Sequence, residues 1–265
     1  MGPAITVIVV IALVFMFRGA ITTLFNATNR LHEAIKKNEL GKIRQLTDAG
    51  ANVNELNASG YSPLHLASSS GINIEILRLL LAKGAEVDAR SKDHRGFGFT
   101  SLIIAAGNDN LEVTAALLEA GASVNTTRGD GMQTPLMSAA GQRAANPQLV
   151  KLLLRAGADI RGKGKDGKTA LICACQVHPT TSSDYEVVCA LLEAGSEVNA
   201  KTDGGWTALI YASAAEKCAF SLQVVQALLS RGANIDAKTS DGKTPLLVTK
   251  DIRVRALLVQ AASHA

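Results

Sequence analysis

Aromatic side chains are scarce: Phe, Trp and Tyr together make up 4% of 265 residues, and Trp occurs once. Hydrophobic residues still reach 47%, so a core has to be built from Ala, Leu, Val and Ile. That argues against a large β-sandwich, whose sheets favour aromatic and β-branched side chains, and suits closely stacked helices. A dominant charge sign is also missing. The net charge of +4 falls short of the basic stripe of a dedicated nucleic-acid binder, so no nucleic-acid partner is expected. Cysteine is confined to Cys173, Cys175, Cys189 and Cys218. They form no C-x-x-C pair and have no histidine at ligand spacing, so no metal site is expected. They read as small buried residues in helices, and a disulfide is open to them only in an exported chain. The histidines (His32, His65, His94, His178 and His264) are scattered. No nucleophile-base set or facing carboxylate pair can be assembled, so the expectation is a non-enzyme without a cofactor.

Long hydrophobic runs are absent, with one exception at the N-terminus, where Ala4 to Phe17 is unbroken apolar sequence. As a helix this run spans about 21 Å, short of a bilayer core of about 30 Å. Extension to Phe25 reaches about 33 Å but takes in Arg18, which lies off centre and can snorkel. Three readings compete. A secretory signal fits the run length, but no Lys or Arg precedes it and no clean cleavage site follows. A core helix would need protein on all sides. A single-pass anchor fits best. The flanking Arg18, Arg30, Lys36 and Lys37 lie on its C-terminal side and favour a cytoplasmic remainder. The expectation is a hydrophobic leader over 1–27, with membrane contact through residues 4–25. The alternative is an exported or periplasmic chain after signal cleavage. Protease protection of membrane fractions tests this: a tethered chain pellets with membranes and stays digestible from the cytoplasmic side. Recovery in the soluble fraction at unreduced length would contradict it.

The remainder repeats. A leucine after a small residue or Pro recurs at Leu64, Leu102, Leu136, Leu171, Leu209 and Leu246, at gaps of 34 to 38 residues. An Ala-Gly-Ala or near variant recurs with its glycine at 50, 84, 121, 157, 195 and 232, at gaps of 34 to 38. The two series interleave without exception, which marks one supersecondary unit used many times. Thr134-Pro135-Leu136, Thr244-Pro245-Leu246 and Ser62-Pro63-Leu64 start a short helix, the hydroxyl capping it and Pro occupying the first turn. A second helix shows apolar spacing at Ile76, Leu79 and Leu80, and again at Val187, Ala190 and Leu191. The glycine ends it in the left-handed region. A polar loop with Asp-Gly, as at Asp130-Gly131 and Asp203-Gly204, then turns the chain.

This unit resembles the ankyrin repeat, whose helical signature is T-P-L-H-x-A. The nearest match is Ser62-Pro63-Leu64-His65-Leu66-Ala67, and Pro147 to Ile160 carries the second-helix pattern. The resemblance implies an all-α solenoid of about seven helix-turn-helix repeats with β-turn fingers, here preceded by an N-terminal apolar helix. The repeat domain is placed at 28–265, with repeats at about 28–58, 59–95, 96–130, 131–165, 166–202, 203–239 and 240–265. The motif histidine survives only as His65. Ile103, Met137, Ile172, Ile210 and Leu247 replace it, so packing has to take over a hydrogen-bonded link between repeats. Extra residues are expected between the helices at 176–184 and 214–220, and in the loop 90–99. The charged first repeat, and Arg253 and Arg255 in the last, are expected to cap the array. The loose repeat length resembles bacterial arrays more than animal ones.

One motif invites a different reading. Gly162 to Thr169 satisfies G-x-x-x-x-G-K-T, the phosphate-loop pattern of a nucleotide-binding enzyme. The preceding residues read as a helix end rather than a strand, and Asp-Gly-Lys-Thr recurs at 241–244 in the same phase, so the match is the repeat's own turn. The resemblance instead implies a protein-binding scaffold, in which the residue before the motif Thr and the residue after the motif His face the concave side. That phase selects Tyr61, Leu66, Phe99, Ile104, Lys168, Trp206 and Tyr211 as contact residues. Loop cations, including Arg90, Arg95 and Lys201, would meet a protein partner with an acidic rim. A purely structural spacer is the bland alternative. The array is expected to act as a monomer.

Overall fold

The computed structural model describes residues 29–92, 96, 98–129, 133–177, 180–215 and 218–263. The expected apolar helix over 4–25 lies outside them. Among the described residues every regular element is a helix, and no helix is long and apolar enough to cross a membrane.

The helices of the described residues come in seven consecutive pairs. They are α1 (29–36) with α2 (Leu40–Asp48), α3 (Pro63–Ala67) with α4 (Ile74–Ala82), and α5 (Ser101–Gly107) with α6 (Leu111–Glu119). Next come α7 (Pro135–Ala140) with α8 (Pro147–Arg155), and α9 (Ala170–Gln176) with α10 (Ser182–Glu193). The last are α11 (Ala208–Ala214) with α12 (Ser221–Ser230), and α13 (Pro245–Val248) with α14 (Ile252–Ala262).

Capping chemistry sets these boundaries. The hydroxyls of Thr100, Thr134, Thr169, Thr207 and Thr244 each accept an amide from the third residue of the short helix that follows. Asn73 and Asn146 cap second helices by accepting the amide of the second helical residue, and Asn110 by accepting that of the third. Those helices end on glycines at φ of 79° to 88°, from Gly50 through Gly232. The amide after each glycine then reaches back to a leucine carbonyl, as from Ala51 to Leu46 and Ala85 to Leu80, which closes the Schellman geometry.

Neighbouring pairs stack through the motif leucines, of which Leu64, Leu102, Leu136, Leu171 and Leu209 are at most 1% exposed. Burial of each contributes about 1.5–3 kcal/mol. The core falls into two clusters that meet in the third pair, one running from Leu31 to Ala122 and the other from Ala106 to Leu258.

Polar side chains clamp one repeat to the next. Asn54, Asn125 and Asn199 each donate to the helix-ending glycine carbonyl of the following repeat and accept an amide two residues beyond it. Asp88 accepts from Ser123 but has no amide to donate, and Arg161 holds the equivalent place between the fourth and fifth repeats. The fingers also touch through backbone: Lys92 N–H donates to Gly60, Asp203 N–H to Asp166, and Ser240 N–H to Gly204. Gly205, at φ +77°, sits so close to the next finger that a Cβ would lie 2.9 Å from the Lys238 carbonyl oxygen.

The structure departs from expectation in three places. The extra residues of the fifth repeat do not all lie between helices, because α10 has 12 residues where α4, α6 and α8 have 9. Its Tyr185 stacks on Phe220 of the next repeat, with centroids 6.4 Å apart, so the two lengthened repeats brace each other. Cys218 lies outside the helices, and all four cysteines are free. Arg253 and Arg255 fold back onto Asp251 and the Thr249 carbonyl, while Leu247, Ile252 and Val259 of the last pair are 70%, 80% and 54% exposed. Leu247 holds the position that is buried in the four preceding repeats (Ile103, Met137, Ile172 and Ile210), where another pair packs against it.

Candidate interaction face

The short helices and the fingers before them form one ledge, on which the phase-selected residues fall in sequence order. Tyr61 and Leu66 from α3 and its finger, and Phe99 and Ile104 from α5 and its finger, line a single groove of about 400 Å³. Its walls are completed by Gln133, Ser138 and Gln142 from the α7 repeat. His65 holds the groove's first wall in place. Its Nδ1 accepts the Ser62 N–H at 3.1 Å, so Nε2 carries the proton and donates to the Phe99 carbonyl at 2.9 Å. The imidazole therefore links one short helix to the next finger, and burial lowers its pKa. Tyr61 meets this ring edge-on, with centroids 5.9 Å apart.

The groove gives way to a second cavity of about 230 Å³ lined by Arg128, Gln133, Gly141, Asp166, Lys168 and Cys173. Gln133 belongs to both. Arg128 stands between them, its guanidinium 4.9 Å from the Phe99 ring centroid and donating to Gln133 Oε1 at 3.2 Å. Lys168 pairs with Asp166 at 3.0 Å, and that hydrogen bond raises the ammonium pKa. Burial pushes the Cys173 thiol up to about 11, so it is protonated at neutral pH and a poor nucleophile. Beyond Lys168 the ledge ends in Tyr211 and Trp206, whose rings lie 4.7 Å apart at a tilt of 32°. Burial raises the Tyr211 phenol pKa, and the charge of Lys168 opposes it.

The cations divide by role. Arg90 ties its own finger to the next, donating to the carbonyls of Thr127 at 2.6 Å and Gly98 at 3.3 Å, so its guanidinium is structurally committed. Arg95 lies outside the described residues. Lys92, Arg161, Lys165, Lys201 and Lys238 are exposed and make no ion pair with a described residue, and the same holds for Glu86, Asp203 and Asp236 on these fingers.

The Gly162–Thr169 loop follows α8 and leads into α9. The amides of Gly162, Gly164 and Gly167 donate to the carbonyls of Asp159, Lys168 and Gly164, and the Thr169 hydroxyl caps α9. They are used up within the turn and do not converge on a phosphate position. Among the described residues no group of three or more His, Cys, Asp or Glu could hold a metal ion.

Sequence phase had not pointed to the clamps or to Asp184, although the asparagines four residues after Gly50, Gly121 and Gly195 were a readable signal.

The family described as Ankyrin repeats (3 copies) matches at residues 31–128, 102–202 and 180–249. A crystal structure of the human ASB11 ankyrin repeat domain superposes with a TM-score of 0.73 at 25% identity, covering 87% of this chain and 96% of that one. A Danio rerio protein named as a palmitoyltransferase, ZDHHC13, is 36% identical over 149 residues, 56% of this chain and 22% of that protein. An ankyrin repeat-containing protein of Treponema pallidum (strain Nichols) is 39% identical over 102 residues, 38% of this chain and 32% of that protein. The chain thus spans a third or less of these two curated relatives, and a fish and a bacterium match it comparably, so the repeats do not favour a bacterial source.

Proposed function

This chain belongs to the ankyrin repeat family, whose repeats are protein–protein interaction modules, and from that premise we propose that it is a non-enzymatic scaffold that binds a partner protein along the ledge of short helices and fingers. One observation carries the reading. In a chain with 4% aromatic residues, Tyr61, Phe99, Trp206 and Tyr211 fall at the two exposed phases of the repeat, the first two lining one groove and the last two packing on each other. Half-buried aromatics of this kind are the usual anchors of an interface. The acidic rim proposed for the partner would meet the exposed finger cations Lys92, Arg161, Lys165, Lys201 and Lys238. Attachment to a membrane through residues 4–25, or export, belongs to the same proposal and rests on the sequence of that segment.

Partner capture with Trp206→Ala and Tyr211→Ala tests the face. Each substitution removes one half-buried ring of a tilted pair and leaves the buried core leucines in place, so the fold is expected to persist. Binding is expected to weaken about tenfold or more per substitution. Unchanged capture of every partner by the double variant would remove this face from consideration.

A further inference from the structure

The short helices do not stack evenly. From α3 onward the first step is the loose one: α3 packs far less closely on α5 than α5 does on α7, α7 on α9 or α9 on α11. Helix length is not the cause, because α13, with 4 residues against the 5 of α3, packs on α11 nearly as closely as the longer pairs do. The second helices show no such gap, since α4 packs on α6 as α2 does on α4 and α6 on α8. The second and third repeats are therefore joined along their second helices and parted along their short ones. The groove of about 400 Å³ opens at that gap.

The ties across this boundary are also one-sided. At the finger end His65 donates to the Phe99 carbonyl at 2.9 Å, and the Lys92 amide donates to the Gly60 carbonyl at 2.8 Å. At the far end of the short helices a tie used elsewhere is missing. Asn38 and Asp109, both with positive φ, stand in the turn between the two helices of their repeats. Their side chains accept the amides of Asn73 and Asn146, which cap the second helix of the following repeat. In the second repeat the positive-φ turn residue is Gly71, which has no side chain to reach Asn110. The next boundary in the array whose turn lacks such a side chain, at Ala144, is closed instead by Asp184, which accepts the Ala145 amide.

Two further features keep the gap open. The finger is long, with Leu102 18 residues after Gly84 where the other repeats need 14 or 15. The side chains bordering the far end are short, Ser69 from the second repeat and Gly107 from the third. Gly107 is the last residue of α5, its φ is not positive, and an added Cβ would meet only Ser138 Cβ, at 3.9 Å. Nothing in the backbone asks for glycine there, and glycine is disfavoured in a helix.

We propose that this boundary is the hinge of the array. The far ends of α3 and α5 swing together and apart about the packed α4 and α6, while the fingers stay tied. Packed elements have few alternative arrangements, so bending concentrates where packing is incomplete. Tyr61 and Leu66 lie on one side of the hinge, and Phe99, Ile104, Trp206 and Tyr211 on the other, so the motion changes the curvature of the ledge at one joint. The inference concerns motion of the free chain and stands or falls separately from partner binding.

Spin-label distances in the full-length chain test it, with the four native cysteines replaced by alanine. Labels at Ser70→Cys and Arg143→Cys span the hinge and the boundary after it. Labels at Asn108→Cys and Gln176→Cys span two boundaries without it. The first distance distribution is expected to be about twice as wide as the second. Gly107→Leu places a large side chain in the gap and is expected to narrow the first distribution to the width of the second, with the melting temperature held or raised. Gly71→Asn restores the side chain found at 38, lies away from the groove, and is expected to narrow it part of the way. Equal widths for the two label pairs would overturn the hinge. So would a first distribution that neither Gly107→Leu nor Gly71→Asn narrows.

Discussion

Replacing Asp184 with Ala is expected to destabilise the array by about 3–4 kcal/mol, more than any surface substitution. This carboxylate is 3% exposed and sits where the fourth and fifth repeats join. Oδ2 accepts the amides of Thr180 at 3.0 Å and Thr181 at 2.9 Å, and Oδ1 accepts the Ala145 amide of the preceding repeat at 3.3 Å. The Thr181 hydroxyl accepts the Asp184 amide in return, which completes a capping box on α10. Ala would strand three donors, one of them across a repeat boundary. The asparagine clamp is missing at this same boundary, where Arg161 replaces the asparagine found at 54, 125 and 199, and the exposed Lys163–Glu197 ion pair at 3.4 Å that spans the fingers there contributes little. Asn keeps a single acceptor oxygen, and its loss is expected to be about half as large. Urea unfolding checks the order parent, Asn, Ala. Repeat arrays respond locally, so amide exchange in α8 to α12 should rise before that in α3 to α6. A loss for Asp184→Ala below about 1 kcal/mol would show that the three amides are satisfied by water instead.

His65→Ala is expected to cost about 2–4 kcal/mol, through the cavity left in a buried site and the loss of the Ser62 and Phe99 bonds. At 1% exposure the ring has no solvent to replace them. The Phe99 carbonyl also accepts the Ser91 amide at 2.8 Å, so it keeps one partner. His65→Ile, the residue found at 103, 172 and 210, refills the space and is expected to recover about half of the loss. Acid separates the two effects. Burial holds the folded-state pKa of His65 below its ordinary value of 6.5. The unfolded chain then takes up the proton first as pH falls. Stability from this group is complete above the unfolded pKa and is lost as pH drops through 6.5 toward the folded value. Parent minus His65→Ile stability, measured from pH 7.5 to 5, is therefore expected to shrink. The subtraction removes contributions from carboxylates such as Asp241 and Asp251, whose lowered pKa values act further into acid. A difference that stays flat or grows on acidification would contradict the assignment of a neutral, Nε2-protonated ring.

Most of the fold was legible because the repeat writes its rules more than once. A leucine every 34 to 38 residues and a glycine at the same period mark the helix pair, and the threonine caps follow from local chemistry that needs no partner. Phase alone also put Tyr61, Leu66, Phe99 and Ile104 on one side. Their meeting in one groove was not legible. It depends on α3 packing less closely on α5 than α5 does on α7, and on what the side chain missing at Gly107 leaves open. Arg90 read as a free loop cation because its partners are backbone carbonyls, one in its own finger and one in the next, and a backbone acceptor has no sequence signature. The same limit hid Asp184, whose three partners are amides. The last pair read as a charged cap from Arg253 and Arg255, but a helix of that length has room for a polar stripe and an apolar one, and Leu247, Ile252 and Val259 occupy the second.

Hydrogen exchange of the full-length chain, free and with a captured partner protein, tests the interaction face most directly. Protection on binding is expected in the short helices α3, α5, α7, α9 and α11 and in the fingers that precede them, with the second helices α4, α6, α8, α10 and α12 unchanged. Protection confined to the second helices, or to the apolar end formed by α13 and α14, would contradict the account.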